Sequence, residues 1–128
     1  MTAARSPSVQ GLDHVSVVIA GLEDSARFYG EILGLQPVER PDLGFPGLWY
    51  DLGGGQTLHL LCVPNPDATE RGVRGGRDRH LALRVRGLES LLQRLENAGH
   101  SAERSQSGRP AAFVRDPDGN TVELIEAG

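Results

Sequence analysis

The chain has 128 residues, 38% of them hydrophobic and 23% charged, with a net charge of -4; this fits one ordinary soluble domain, neither disordered nor membranous in composition. The acidic balance argues against nucleic acid as the main partner, because phosphate binding needs a positive field. No apolar run nears the ~20 residues of a membrane span, residues 1–10 lack the apolar core of a secretory signal, and the single cysteine, Cys62, rules out an internal disulfide and fits a reducing cytoplasm.

After a small, polar lead-in over 1–10, residues 12–19 (LDHVSVVI) read as a β-branched strand. Period 2 places Leu12, His14, Ser16 and Val18 on one face. Residues 22–33 read as a helix with Leu22, Ala26, Tyr29 and Leu33 on a stripe and Gly34 as its C-cap. Strands follow at 35–40, 48–52 and 56–63, the last two joined by the turn Gly53-Gly54-Gly55. Residues 64–78 form a Pro-, Gly- and Arg-rich linker. Arg71, Arg74 and Arg77, with Arg79 just beyond it, read as a solvated stretch or as a lid for an anionic substrate. The pattern then restarts, with a strand at 80–86 and an amphipathic helix at 88–98 carrying Leu88, Leu91, Leu92 and Leu95. His100 follows the helix as a surface residue. Strands at 101–105 and 111–115, the turn Asp116-Pro117-Asp118-Gly119 and a final strand to Glu126 complete the chain.

Both halves therefore read β-α-β-β-β. His14 and His80 stand 66 residues apart, and Gly21-Leu22-Glu23 keeps that offset with Gly87-Leu88-Glu89. At the far end GQTLHL (55–60) aligns with GNTVEL (119–124), so His59 corresponds to Glu123. Two modules, each too small to be very stable alone, should pack together or against a second chain. Each module contributes one such residue from its first strand and one from its last. If those strands are neighbours, facing side chains lie ~4.5–5.5 Å apart. Two such pairs facing each other would supply His14, His59, His80 and Glu123 to one divalent ion: zinc, iron, nickel, manganese or cobalt.

The opening LDHVSVVIAGLEDSARFYGEILGL, the restart RHLALRVRGLESLLQRLENAG and the ending FVRDPDGNTVELIE resemble the vicinal oxygen chelate superfamily, which holds glyoxalases, bleomycin-resistance proteins, fosfomycin-resistance thiol transferases, epimerases and extradiol dioxygenases. The resemblance covers about residues 11–126 and implies an α+β fold. Its two βαβββ modules in tandem have curled mixed sheets enclosing a metal cavity, with module one at 11–63, linker 64–78 and module two at 79–126. It implies metal ligands at His14, His59, His80 and Glu123. His14, His80 and Glu123 match the His/His/Glu set of the thiol transferases and dioxygenases. His59 replaces the glutamate usual in glyoxalase I and stands as a fourth ligand or an acid/base. Val18 and Val63 stand where bacterial glyoxalases carry glutathione-binding residues, and the short loop 105–110 replaces a longer glycine/lysine loop.

The expected function is a divalent-metal-dependent lyase or isomerase of glyoxalase type, acting on a small oxygenated substrate that chelates the ion. Glu123 or His59 would move the proton. Arg84, Trp49 and Phe113 are candidate substrate contacts, with ordinary core packing the alternative for the two aromatics. A homodimer is expected. The alternatives are a non-catalytic ligand-binding protein of the bleomycin-resistance type and a fosfomycin-type thiol transferase.

Overall fold

A computed structural model describes residues 6–71 and 75–127. The chain forms two four-stranded mixed sheets, neither closed into a barrel. In the first, β1 (His14–Ile19), β2 (Gln36–Val38), β3 (Gly47–Gly53) and β4 (Gln56–Cys62) lie in the order β1-β4-β3-β2. In the second, β5 (His80–Val85), β6 (Glu103–Arg104), β7 (Ala111–Arg115) and β8 (Thr121–Glu126) repeat the pattern as β5-β8-β7-β6. The first and last strands of each module run parallel side by side. β1 and β5 are therefore sheet edges. No helix among the described residues is long and apolar enough to cross a membrane.

The first helix begins as α1 (Leu22–Ser25) and continues as a π-helical stretch, Ala26–Ile32, where Leu33 N–H reaches back to the Phe28 carbonyl. Its buried face is Ser25, Phe28, Tyr29 and Ile32, not the expected stripe through Leu22 and Ala26. The two aromatic rings carry the most area and turn that face inward. Leu22, at the helix start, is left exposed. The second helix, α2 (Leu88–Asn97), buries Leu88, Leu91 and Leu95, with Leu92 half-buried. Its N-terminal amides at Gly87 and Leu88 are capped by the Glu126 carboxylate from β8. His100, expected at the surface, is half-buried edge-on to Phe28 at 5.0 Å.

The turn at 116–120 joins the modules. Asp116 accepts the backbone N–H groups of Asp118 and Asn120 through Oδ1. Its Oδ2 accepts the hydroxyl of Tyr29 at 2.7 Å, within the core. Asn120 donates to the Val18 carbonyl and Asp118 accepts from Ala20 N–H, so one tight turn grips both the strand of module one and the start of its helix connection. Burial and then the neighbouring Asp116 push the Tyr29 hydroxyl well above the ordinary tyrosine range, keeping it a donor. Gly119 is doubly required: its φ is +86°, and a Cβ there would collide with the Thr69 carbonyl.

Candidate metal centre

Module two brings its two candidate ligands together. β5 and β8 place Ala82 opposite Glu123 and His80 opposite Thr121, so His80 reaches the carboxylate diagonally across the parallel pair. His80 Nε2 lies 3.2 Å from Glu123 Oε1. Its other ring nitrogen, Nδ1, lies 2.8 Å from the Asp78 carbonyl oxygen. A carbonyl only accepts, so Nδ1 carries a proton, and in a neutral ring Nε2 would then present a lone pair. That lone pair faces a carboxylate, which also only accepts. Two acceptors at this distance need a cation between them, either a proton or a metal ion. Cis ligands of an ion with ~2.1 Å bonds stand ~3.0–3.4 Å apart, so the donor pair fits a metal. The bond from Nδ1 to a carbonyl is the outer-shell contact that fixes a ligating histidine.

Glu123 is buried, and its second oxygen, Oε2, accepts from the guanidinium of Arg109 at 3.2 Å. Arg109 is 59% exposed and sits in the turn before β7. Nothing in the strand periodicity singles it out; the only sequence signal is a cation in a Gly-Arg-Pro turn. Phe113, opposite Glu123 in register, stands edge-on to His80 at 5.3 Å.

The linker packs onto this half. Asp78 takes Arg71 on Oδ1 and Arg115 on Oδ2, both at 3.0 Å. Arg115 also donates to Thr121 Oγ1 and to the Gly119 carbonyl. Burial alone would raise the Asp78 carboxyl, but the bonds from Arg115 and Arg71 outweigh it and hold the pKa at about 2. Arg79 pairs with Asp67. The 3-10 turn Gly75–Arg77 lies over Phe113, where a Cβ on Gly76 would come within 3.2 Å of the ring. Arg71 is thus an interior partner of Asp78 and not a solvated lid residue, and Arg74 lies outside the described residues. The available sequence signal is an acidic residue close before each first-strand histidine: Asp13 before His14 and Asp78 before His80.

Module one presents a different arrangement. Trp49 and His59 are directly opposed between β3 and β4, and their rings stack at 3.9 Å and 4°. His14 stacks on His59 at 4.1 Å and 13°. His14 Nδ1 bonds the Asp13 carboxylate at 2.7 Å, leaving Nε2 to bind elsewhere. His59 Nε2 sits 2.9 Å from Thr57 Oγ1. Burial, and then the charge of His14, lower the His59 pKa from its usual value.

Within the single chain the two pairs remain apart. No group of three or more His, Cys, Asp or Glu side chains that could hold an ion occurs among the described residues. A cleft of about 1110 Å³ runs along β1, β5 and α2 and includes His80 and Arg84, but not His14, His59, Trp49, Phe113 or Glu123. It is an open seam between two sheet edges. The opposed donors mark the candidate site better than the hollow does. Cys62 is half-buried, with Sγ 3.5 Å from the Ala20 carbonyl.

Comparisons with known proteins agree with this architecture. The model of the Glyoxalase/Bleomycin resistance protein/Dioxygenase superfamily matches residues 11–124. Glyoxylase I 4 of Arabidopsis thaliana is 32% identical over 120 residues, covering 88% of this chain and 68% of that protein. Glutathione transferase FosA of Serratia marcescens is 29% identical over 123 residues, covering 91% and 80%. A glyoxalase family protein from Bacillus anthracis superposes with a TM-score of 0.75 at 26% identity, covering 95% of this chain and 98% of that one. The chain belongs to the glyoxalase/bleomycin resistance protein/dioxygenase superfamily.

Proposed function

We propose that this protein is a divalent-metal-dependent lyase or isomerase of glyoxalase type, acting on a small substrate with adjacent oxygens. The observation that carries this reading is the His80–Glu123 contact, in which two acceptors face each other at 3.2 Å and call for a cation. His80 and Glu123 would hold the ion through Nε2 and Oε1, and His14 would join them through Nε2. When bound, such an ion supplies Lewis acidity toward a developing enolate or alkoxide.

The chain's own residues do the rest. Asp78 keeps His80 in one tautomer through its carbonyl. Glu123 is the proton carrier, because among the described residues Oε2 is engaged only by the exposed Arg109. Phe113 and Trp49 supply apolar walls beside the imidazoles. Arg84 stands in the cleft with His80, where it could meet an anionic group.

The separation of the pairs within one chain supports a homodimer in which His14 and His59 of one protomer meet His80 and Glu123 of the other. Two sheet edges bordering an open cleft also support it, since parallel strands are seldom left uncovered. Co-expression of His14→Ala with Glu123→Gln chains is the test. Each homodimer would lack a whole site, while the mixed dimer would regain one. No recovery of ion binding in the mixture refutes the shared site.

For the reaction itself, protein loaded with zinc, nickel or manganese should isomerise the thiol adduct of a 2-oxoaldehyde, and His80→Ala should abolish turnover. A native protein without divalent metal, whose ligand binding survives His80→Ala, would instead be a non-catalytic binding protein. Thiol transfer to an epoxide is the second reading, favoured by the similarity to FosA and by the His14/His80/Glu123 set. Supplying an epoxide with a thiol separates the two.

A further inference from the structure

His59 occupies the module-one position that corresponds by repeat to Glu123, so it is the natural candidate for a fourth ligand. Its surroundings argue otherwise. Both faces of its ring are covered, by Trp49 at 3.9 Å and by His14 at 4.1 Å. The three rings form one column across β3, β4 and β1, tilted by only 4° and 13° between neighbours. Imidazole lone pairs lie in the ring plane, so those of two cofacial rings do not converge. Two histidines sharing an ion with ~2.1 Å bonds need nitrogens ~3.0–3.4 Å apart with converging lone pairs. The stacked pair does not meet that condition. The Nε2 of His59 is also occupied, 2.9 Å from Thr57 Oγ1.

We propose that His59 is a positioning residue and not a ligand. Resting on the metal reading above, it acts as an aromatic spacer that carries the plane of Trp49 across to His14. The strand register explains why a spacer is needed. His59 is directly opposite Trp49, whereas His14 is opposite Thr57 and would have no aromatic neighbour if His59 were small or acyclic. With Asp13 on Nδ1 and His59 against one face, the His14 ring is held in two directions and its Nε2 is aimed. The ion is then held by His14, His80 and Glu123. With no fourth side chain bound, the ion would keep open positions for the two adjacent oxygens of the substrate.

The experiment compares His59→Phe, His59→Ala and Trp49→Ala with the wild-type protein by calorimetric titration with Mn²⁺ and Zn²⁺. Visible absorption of the Co²⁺-loaded proteins reports the ligand set, and circular dichroism reports folding. His59→Phe keeps the column and removes both nitrogens, so ion affinity and the Co²⁺ spectrum should match wild type. His59→Ala and Trp49→Ala break the column, so both should bind about tenfold or more weakly, the cost of losing ligand orientation. Trp49 has no ligand atom, so its effect tests the spacer even if a His59 variant folds poorly. Loss of binding in His59→Phe as complete as in His80→Ala, or a changed Co²⁺ spectrum, overturns the proposal. An unchanged affinity in Trp49→Ala also overturns it. Failure of the wild-type protein to bind any divalent ion overturns the metal reading and this inference together, whereas loss confined to His59→Phe overturns this inference alone.

Discussion

Asp78 offers the most quantitative test of how the linker supports the site. Its carboxylate is 19% exposed and holds Arg71 and Arg115, while its carbonyl receives Nδ1 of His80. A fall in pKa from 3.8 to about 2 corresponds to about 2 kcal/mol of stability. The folded pKa lies below the unfolded one, so this stability is complete above pH ~4 and is lost as the pH falls through about 2. Asp78→Asn keeps the shape and removes the charge. It should therefore be about 2 kcal/mol less stable than wild type at pH 7, a loss of roughly 6–8 °C in Tm for a domain of this size. The gap should close between pH 4 and pH 2. Urea unfolding of both proteins across that range isolates Asp78, because every other carboxylate is common to the two. Equal stability at pH 7, or a gap of constant size down to pH 2, would refute the account of the linker as a charged clamp. The same variant should bind Mn²⁺ about tenfold more weakly if the clamp fixes His80.

Three further outcomes follow from the geometry. Tyr29→Phe removes a buried hydrogen bond to a carboxylate that keeps three other donors, so chemical denaturation should show a loss of about 1–2 kcal/mol. Gly119→Ala places a methyl group against the Thr69 carbonyl in a left-handed backbone, and should cost about 1–3 kcal/mol in thermal unfolding. Trp49 is the only tryptophan and is stacked on His59, so its emission should be quenched as His59 gains a proton. Because burial lowers that pKa, the midpoint should fall below the ordinary histidine value near 6.5, and the neutral ring should favour the folded state above it. A midpoint above 6.5, or one that persists in His59→Phe, would contradict this environment.

The repeat, the strands and the residues that alternate onto one face are legible in the chain because they are local properties. A period of two residues fixes which side chains share a sheet face, so His14, Ser16 and Val18 group together on spacing alone. The turn at 116–119 is equally plain as a turn. Its role as the knot between modules is not, since its partners Tyr29 and Val18 lie 87 and 102 residues away. The helix stripe is misplaced by spacing for a related reason. Leu22 and Ala26 have helical spacing, but the large rings of Phe28 and Tyr29 have more area to bury.

For the site, residue types and positions alone name His14, His59, His80 and Glu123 as chemistry-bearing, through the coincidence of two modules. Tertiary structure decides how they relate. It pairs His80 with Glu123 and turns His59 into the middle of an aromatic column. It also draws Arg109 onto Glu123 and Asp78 onto His80. None of these follows from periodicity, because each depends on strand register, ring orientation or a loop returning over a sheet. Hydrogen-bond direction and ring stacking are properties of atoms in three dimensions, and they give His59 and His80 different surroundings although the two histidines look alike in sequence.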